Sequence, residues 1–318
     1  MRRPHLLTAV VLAVSVIASG CTASTTARPP RPDRLPAGRG RAARSAAPGR
    51  TSQGLSSRVI VRDIPGTRSR FPARRAYIYL PPILRREPRR RLPVLELLHG
   101  SPGGPSDWLV KGDARSVLDR FARAHGGLAP IVVMPDINAA DQGDTECVPS
   151  AHGDVETYLT KEVPAYLATH FPVATGRRGW AIAGPSEGGT CSVLLVLRNA
   201  DRFASFVDMS GLAHPTVGEH DDPARTIATL FGGSRAAYLH HDPVWLLGHF
   251  DYPSVAGWFV SGAQDAEALT AEHELIAASR AAHLAAVVED SVPGKHYWLV
   301  WTAALRRVLP WLWRRMTS

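Results

Sequence analysis

One pentapeptide limits what this chain can fold into more than any other stretch: Gly184-Pro185-Ser186-Glu187-Gly188, a G-x-S-x-G sequence. Trp180 to Ala183, just before it, read as a short buried strand, and the residues from Gly188 onward as the start of a helix. A serine between a strand and a helix needs a very tight turn. The flanking glycines let the two backbones approach, and the turn strains the serine so that its hydroxyl is pushed into the open.

The rest of the chain supplies a frame for such a turn. Arg58 to Ile64 and Arg75 to Leu80 read as an early strand pair, and Leu84 to Arg91 as a charged turn. Short apolar runs at Pro93 to Leu98, Pro130 to Met134, Phe203 to Met209, Ala256 to Ser261 and Ala285 to Glu289 read as further strands. Helical periods fall between them at Ser116 to Ala124, Asp154 to His170, Ala266 to His283 and Tyr297 to Arg315. Pro164 should kink or divide the second of these. Residues 211–255 read as loop-rich, with one short helix from Pro223 to Phe231. Strands that alternate with helices and are apolar throughout imply a mostly parallel central sheet with helices on both faces. Ligands of such sheets bind beyond the carboxyl ends of the strands. His99, Asp136, Ser186, Asp265 and His296 all fall there.

The first 57 residues belong to another class. Arg2 and Arg3 followed by the apolar stretch Leu6 to Ala18 form a signal segment too short to span a bilayer comfortably. It ends in Ala18-Ser19-Gly20-Cys21, which looks like a bacterial lipobox with Ala in place of the usual Leu. The expectation is cleavage after residue 20, lipidation of Cys21 and anchoring to the membrane outside the cytoplasm, with simple secretion as the alternative. Residues 21–57, rich in Ala, Arg and Pro, read as a disordered tether to a domain spanning 58–318. Of the formal charge of +9, +8 lies in residues 1–57, which leaves +1 on the domain and argues against a nucleic-acid partner. With Cys21 assigned to lipid, Cys147 and Cys191 remain as an even pair, either bridged in an oxidising compartment or held as two buried thiols.

The chemistry follows from Ser186. A serine hydroxyl is a weak nucleophile until a base takes its proton, and the base is usually a histidine held by a carboxylate. Ser186, Asp265 and His296 occur in the chain order nucleophile, acid, histidine. Asp265 also precedes a helix and competes for the plainer role of N-cap, with Glu267 as the substitute acid. The oxyanion that forms needs two aimed N–H groups. Glu187, following the nucleophile, offers one. Ser101 offers the other, because Pro102 has none. His99 reads as a residue that orients this loop rather than as a base, and Trp108 as a wall of it. Neither His240-His241 nor His220-Asp221-Asp222 has a metal-binding spacing, and no metal or cofactor is expected. Trp298, Trp301, Trp311 and Trp313 on the last helix read as packing, with Trp298 close enough to His296 to reach the pocket.

Leu97-Leu98-His99-Gly100 with Gly103-Gly104 and Trp108, the Gly184 to Gly189 turn, Gly262 to Asp265, and Gly294-Lys295-His296 before Trp298 together resemble the esterase D-type branch of the α/β-hydrolases. That branch includes the antigen 85 mycolyltransferases. The resemblance covers residues 58 to 315 and implies an α/β-hydrolase fold and a serine esterase acting on small-molecule or lipid esters through an acyl-enzyme. It implies Ser186 as nucleophile, His296 as base, and the Ser101 and Glu187 amides as the oxyanion hole. An acyltransferase of the cell envelope and a catalytically silent surface binding protein are the alternatives. The chain departs from the pattern at Pro185 and Glu187, where Leu and Met are common, and it lacks the Asp-Gly-Leu-Arg loop of the mycolyltransferases. The Glu187 carboxylate then either faces away from the nucleophile or shapes substrate choice.

Overall fold

The structure, a computed structural model, describes residues 56–140, 143–218 and 222–318. The expected signal segment, Cys21 and the tether up to residue 55 lie outside the described residues, as do His220 and Asp221. Ser57, at the end of the expected tether, is buried, and its carbonyl accepts from Arg115 at 3.5 Å.

The chain begins with β1 (Arg58–Arg62), β2 (Ala76–Leu80) and β3 (Val94–Leu97), then α1 (Asp107–Val110), α2 (Ala114–Ala124) and β4 (Ile131–Met134). A small hairpin, β5 (Pro149–Ser150) and β6 (Gly153–Asp154), leads into α3 (Val155–Thr157) and α4 (Val163–His170). Then come β7 (Trp180–Pro185), α5 (Glu187–Arg198), β8 (Ser205–Met209), α6 (Pro223–Phe231), α7 (Arg235–Leu239) and α8 (Pro243–His249). Last are β9 (Ala256–Gly262), α9 (Ala266–Ala281), β10 (Ala286–Val292) and α10 (Trp298–Thr317).

The main sheet has eight strands in the order β1-β2-β4-β3-β7-β8-β9-β10. β1 pairs antiparallel with β2, and β2 with β4, while all other neighbours are parallel. This is the mostly parallel α/β sheet expected. Every residue of β3, β4, β7 and β8 is buried, as strands covered on both faces must be. Successive side chains alternate between two cores. Trp180 and Ile182 pack with Leu194 of α5 and Leu275 of α9, while Ala181 and Ala183 pack with Leu118 of α2 and Leu305 of α10.

An interior side chain of this kind stabilises the fold by about 1.5–3 kcal/mol, so a charged group among them stands out. Glu96, in the middle of β3, is fully buried, and its two oxygens have no partner among the described residues. Burial pushes its carboxyl well above the usual range, which favours the neutral acid.

One local expectation is met in a particular way and another is corrected. The helical run before β7 is divided by register: a π turn over Tyr158–Glu162 joins α3 to α4. Pro164 follows it directly, so the carbonyl its ring would crowd, that of Thr160, belongs to the wider turn. The described residues of 211–255 hold three helices rather than one. α7 starts on Ser234, whose hydroxyl accepts from the Ala237 amide, and α8 on Asp242, whose carboxylate accepts from the Val244 and Trp245 amides.

Candidate active site

Ser186 sits between β7 and α5 at φ 54° and ψ −127°, a conformation sparsely populated by residues with a side chain. The glycines make the turn sterically feasible. A Cβ on Gly184 would lie 2.6 Å from the Gly188 carbonyl oxygen, and one on Gly188 would collide with the His99 carbonyl. The Ser186 amide donates to the Met209 carbonyl at 3.0 Å, tying the elbow to the end of β8.

Two further loops meet at the ends of β9 and β10. The Ala263 amide donates to the Val292 carbonyl at 2.8 Å and the Gln264 amide to the Gly294 carbonyl at 2.9 Å. The Gly294 amide returns a bond to Gln264 Oε1 at 2.6 Å. A side chain on Gly262 would part these loops, because its Cβ would come 2.8 Å from the Lys295 carbonyl. The result is a hydrogen bond from His296 Nδ1 to Asp265 Oδ2 at 2.8 Å. The other oxygen of Asp265 accepts from the Ala268 amide at 3.5 Å and caps α9. The two roles weighed for Asp265 in the sequence are both filled, one by each oxygen. Burial works to raise its carboxyl, but the His296 hydrogen bond and charge, with help from the Ala268 amide and Ser210, bring it below the usual range. With Nδ1 turned to Asp265, Nε2 is the imidazole nitrogen left to act as a base. The His296 side chain is 44% exposed and meets Trp301 edge-on at 5.0 Å. Trp301 in turn donates to Ser210 Oγ at 3.3 Å, one residue past the carbonyl that holds Ser186. Glu267, the substitute acid, faces solvent.

The loop after β3 lies against the elbow: a Cβ on Gly100 would be 3.2 Å from Ser186 Cβ. Among the described residues, neither the Ser101 nor the Glu187 amide donates to another protein group. Trp108 is wholly buried beneath this loop and donates to the Leu98 carbonyl, and it packs edge-on against Trp298 at 5.2 Å. His99 is buried as well, with Nδ1 donating to the Gly100 carbonyl at 2.8 Å, which suits an orienting residue and not a base open to substrate.

The Glu187 side chain faces away from the nucleophile into the interior. Its Oε2 accepts from Asn138 Nδ2 at 2.6 Å, and its Oε1 from the Thr145 and Glu146 amides, both at 3.2 Å. Burial, and then the nearby Asp144 carboxylate, push its carboxyl well above the usual range against the pull of these donors. Glu146 is pushed up in the same way by burial and by Asp144 and Glu187. Two residues after Thr145, Cys147 is joined to Cys191 of α5 by a disulfide with 5.7 Å between Cα atoms. Sequence reasoning missed Asn138 and Thr145, since an Asn and a Thr in a loop carry no motif.

A cavity of about 340 Å³ opens between the segment after β8 and the outer side of α9, lined by Leu212, Ala213, His214, Thr216, Glu267 and Glu274 among others. No group of three or more potential ligands is arranged for a metal ion among the described residues. His240 stacks on Trp245, and His241 Nδ1 donates to the Ala237 carbonyl.

A strained serine at a strand–helix elbow, a buried-carboxylate–histidine pair beyond the next strands and this sheet order define an α/β-hydrolase. The chain belongs to the Putative esterase family, whose profile matches residues 72–312. An uncharacterised protein of Corynebacterium glutamicum is 35% identical over 253 residues, covering 78% of this chain, which spans 58% of that relative's length. A ferulic acid esterase superposes with a TM-score of 0.71 at 25% identity, over 83% of this chain and 100% of its own. An S-formylglutathione hydrolase from Agrobacterium tumefaciens has a TM-score of 0.65 at 18% identity, over 82% and 95%. MPT51 of Mycobacterium tuberculosis has 0.54 at 22% identity, over 76% and 94%; both share the fold.

Proposed function

We propose that the protein is an exported serine esterase that hydrolyses carboxylic esters through an acyl-enzyme. Ser186 Oγ attacks the ester carbonyl while His296 Nε2 takes its proton. The carbonyl oxygen becomes an oxyanion in reach of the Ser101 and Glu187 amides. Collapse of this intermediate expels the alkoxide, which leaves as the alcohol with the proton from His296. Water, deprotonated by the same nitrogen, then attacks the acyl-enzyme, and the acid is released with Ser186 restored. Asp265 keeps the imidazole in the tautomer with Nε2 free. The observation that carries this reading is the 2.8 Å Asp265–His296 hydrogen bond, with Trp301 linking His296 to Ser210, the residue after the carbonyl that holds Ser186.

The cavity along α9 suits part of the ester, with an apolar wall at Leu212 and Ala213 and with Glu267 and Glu274 disfavouring an anionic group. Export and anchoring through Cys21 rest on the signal segment and on the Cys147–Cys191 bridge, a bond typical of oxidising compartments. A fluorophosphonate probe should label Ser186, and Ser186→Ala should abolish both labelling and hydrolysis of p-nitrophenyl esters. Unchanged hydrolysis by that variant overturns the reading, and adding acceptor alcohols to the assay separates hydrolysis from acyl transfer.

A further inference from the structure

The two oxyanion donors come from loops far apart in sequence, yet one buried chain of hydrogen bonds runs between them. On the near side is the Gly100–Ser101 peptide. A trans peptide is planar, with its carbonyl and N–H pointing in opposite directions. The bond from His99 Nδ1 to the Gly100 carbonyl at 2.8 Å therefore also aims the Ser101 N–H. The far edge of the His99 ring is held in turn: Nε2 lies 3.1 Å from Asp136 Oδ1 and 3.2 Å from the Ile137 amide. Asp136 is anchored on its outer side by Arg74, whose guanidinium donates to both carboxylate oxygens, at 2.6 and 3.1 Å, and to the Gly103 carbonyl at 2.9 Å.

From Asp136 the chain continues to the other donor. The Asn138 amide donates to Asp136 Oδ1 at 3.2 Å, and the Asn138 side chain donates to Glu187 Oε2 at 2.6 Å. Glu187 carries the second oxyanion amide on its own backbone. His99, Asp136, Asn138 and Glu187 are each at most 6% exposed, so solvent competes little for these bonds.

We propose that residues 136–138 act as a strut that sets the spacing and aim of the two oxyanion amides, with His99 and Asn138 as its positioning residues. The proposal rests on the serine esterase reading above. It also accounts for the departure at Glu187: the side chain is the strut's attachment to the elbow. Oxyanion stabilisation depends on donors held in place before the charge forms, so loosening the strut affects the transition state more than substrate binding.

The test is steady-state kinetics of Asn138→Ala, His99→Ala and the double variant, with the affinity of a trifluoromethyl ketone as a reporter of oxyanion binding. Each single variant should lower kcat about 10–100-fold with KM within about threefold, and should weaken the ketone in parallel with kcat/KM. The double variant should cost little more than either single one, because both break one connection. Glu187→Ala, which removes the attachment but leaves the backbone amide, should lower kcat and weaken the ketone in parallel, as the Asn138 variant does. Wild-type kcat in Asn138→Ala, ketone affinity unchanged in the variants, or multiplicative losses in the double variant would overturn the strut. Thermal unfolding of each variant checks that it is folded. Failure of the esterase reading shows separately, as an unlabelled Ser186 in the wild type.

Discussion

Two carboxylates belong to the candidate site, and their surroundings treat them in opposite ways. Asp265 stands at a rim. One of its oxygens faces the half-exposed imidazole of His296, and the balance of its contacts holds it below the usual carboxylate range. Glu187 adjoins the serine in sequence, but its side chain runs inward to an amide side chain and two backbone amides, and burial beside Asp144 holds it above that range. At Asp265 the contact with His296 favours the charge against the pull of burial. At Glu187, where the side chain holds the elbow, burial works against the charge while three donors favour it. Proximity in sequence to Ser186 therefore says little about what a side chain does; the partner at its end decides it.

The contrast is most easily broken by removing each charge in turn. Asp265→Asn should lower kcat/KM about a thousandfold or more, because the imidazole loses the partner that fixes its tautomer. Glu187→Gln should cost less, about 10-fold, because the side chain holds the elbow but its amide nitrogen cannot accept from the donors that the carboxylate meets. Equal losses in the two variants would erase the distinction. Next in size is the bridge that fastens the Glu187 side. Opening Cys147–Cys191 with a Cys147→Ser, Cys191→Ser double variant releases a constraint over a sequence separation of 44 residues. The chain-entropy picture puts the lost stability at about 4 kcal/mol, measurable by urea unfolding.

Smaller effects should appear in the pH dependence of stability, with opposite signs on the two sides. Asp265, lowered in the folded state, contributes stability that is present above its unfolded pKa and lost as the pH falls through the folded one. The stability deficit of Asp265→Asn should therefore shrink in acid. Glu187, raised in the folded state, costs stability as the pH rises through its unfolded and then its folded pKa, so Glu187→Gln should gain on the wild type with rising pH. Asp208 offers a measurable case of the second kind: burial, opposed only by the Gly211 amide, pushes it up to about 7. Asp208→Asn should gain about 1–3 kcal/mol above that pH, and the gain should vanish toward pH ~4. Unfolding midpoints across the range check all three. The smallest effect belongs to the cavity. Glu274→Gln should improve KM for an anionic ester about twofold, since the carboxylate is half exposed and screened.

Much of this arrangement was legible in the chain. The buried runs marked β3, β4, β7, β8 and β9, since parallel strands covered on both faces have no polar face to hide the signal. The Gly184–Gly188 pentapeptide marked the elbow because so few residues fit that turn. Asp265 and His296 were legible from their order and from the glycines beside them. Helices α7 and α8 carried readable caps, Ser234 and Asp242, but their short apolar periods were lost among turn residues. The Asn138–Glu187 bond had no local signal.

The sequence by itself determined which residues are candidates for the chemistry, because residue type at strand ends and tight turns that only glycine permits mark them. The tertiary structure alone decided where each carboxylate points, since that depends on partners far along the chain. His296 lies 31 residues from Asp265, and Asn138 lies 49 from Glu187. Burial and hydrogen bonding then shift the two carboxyls in opposite directions, and neither exists until the loops have met.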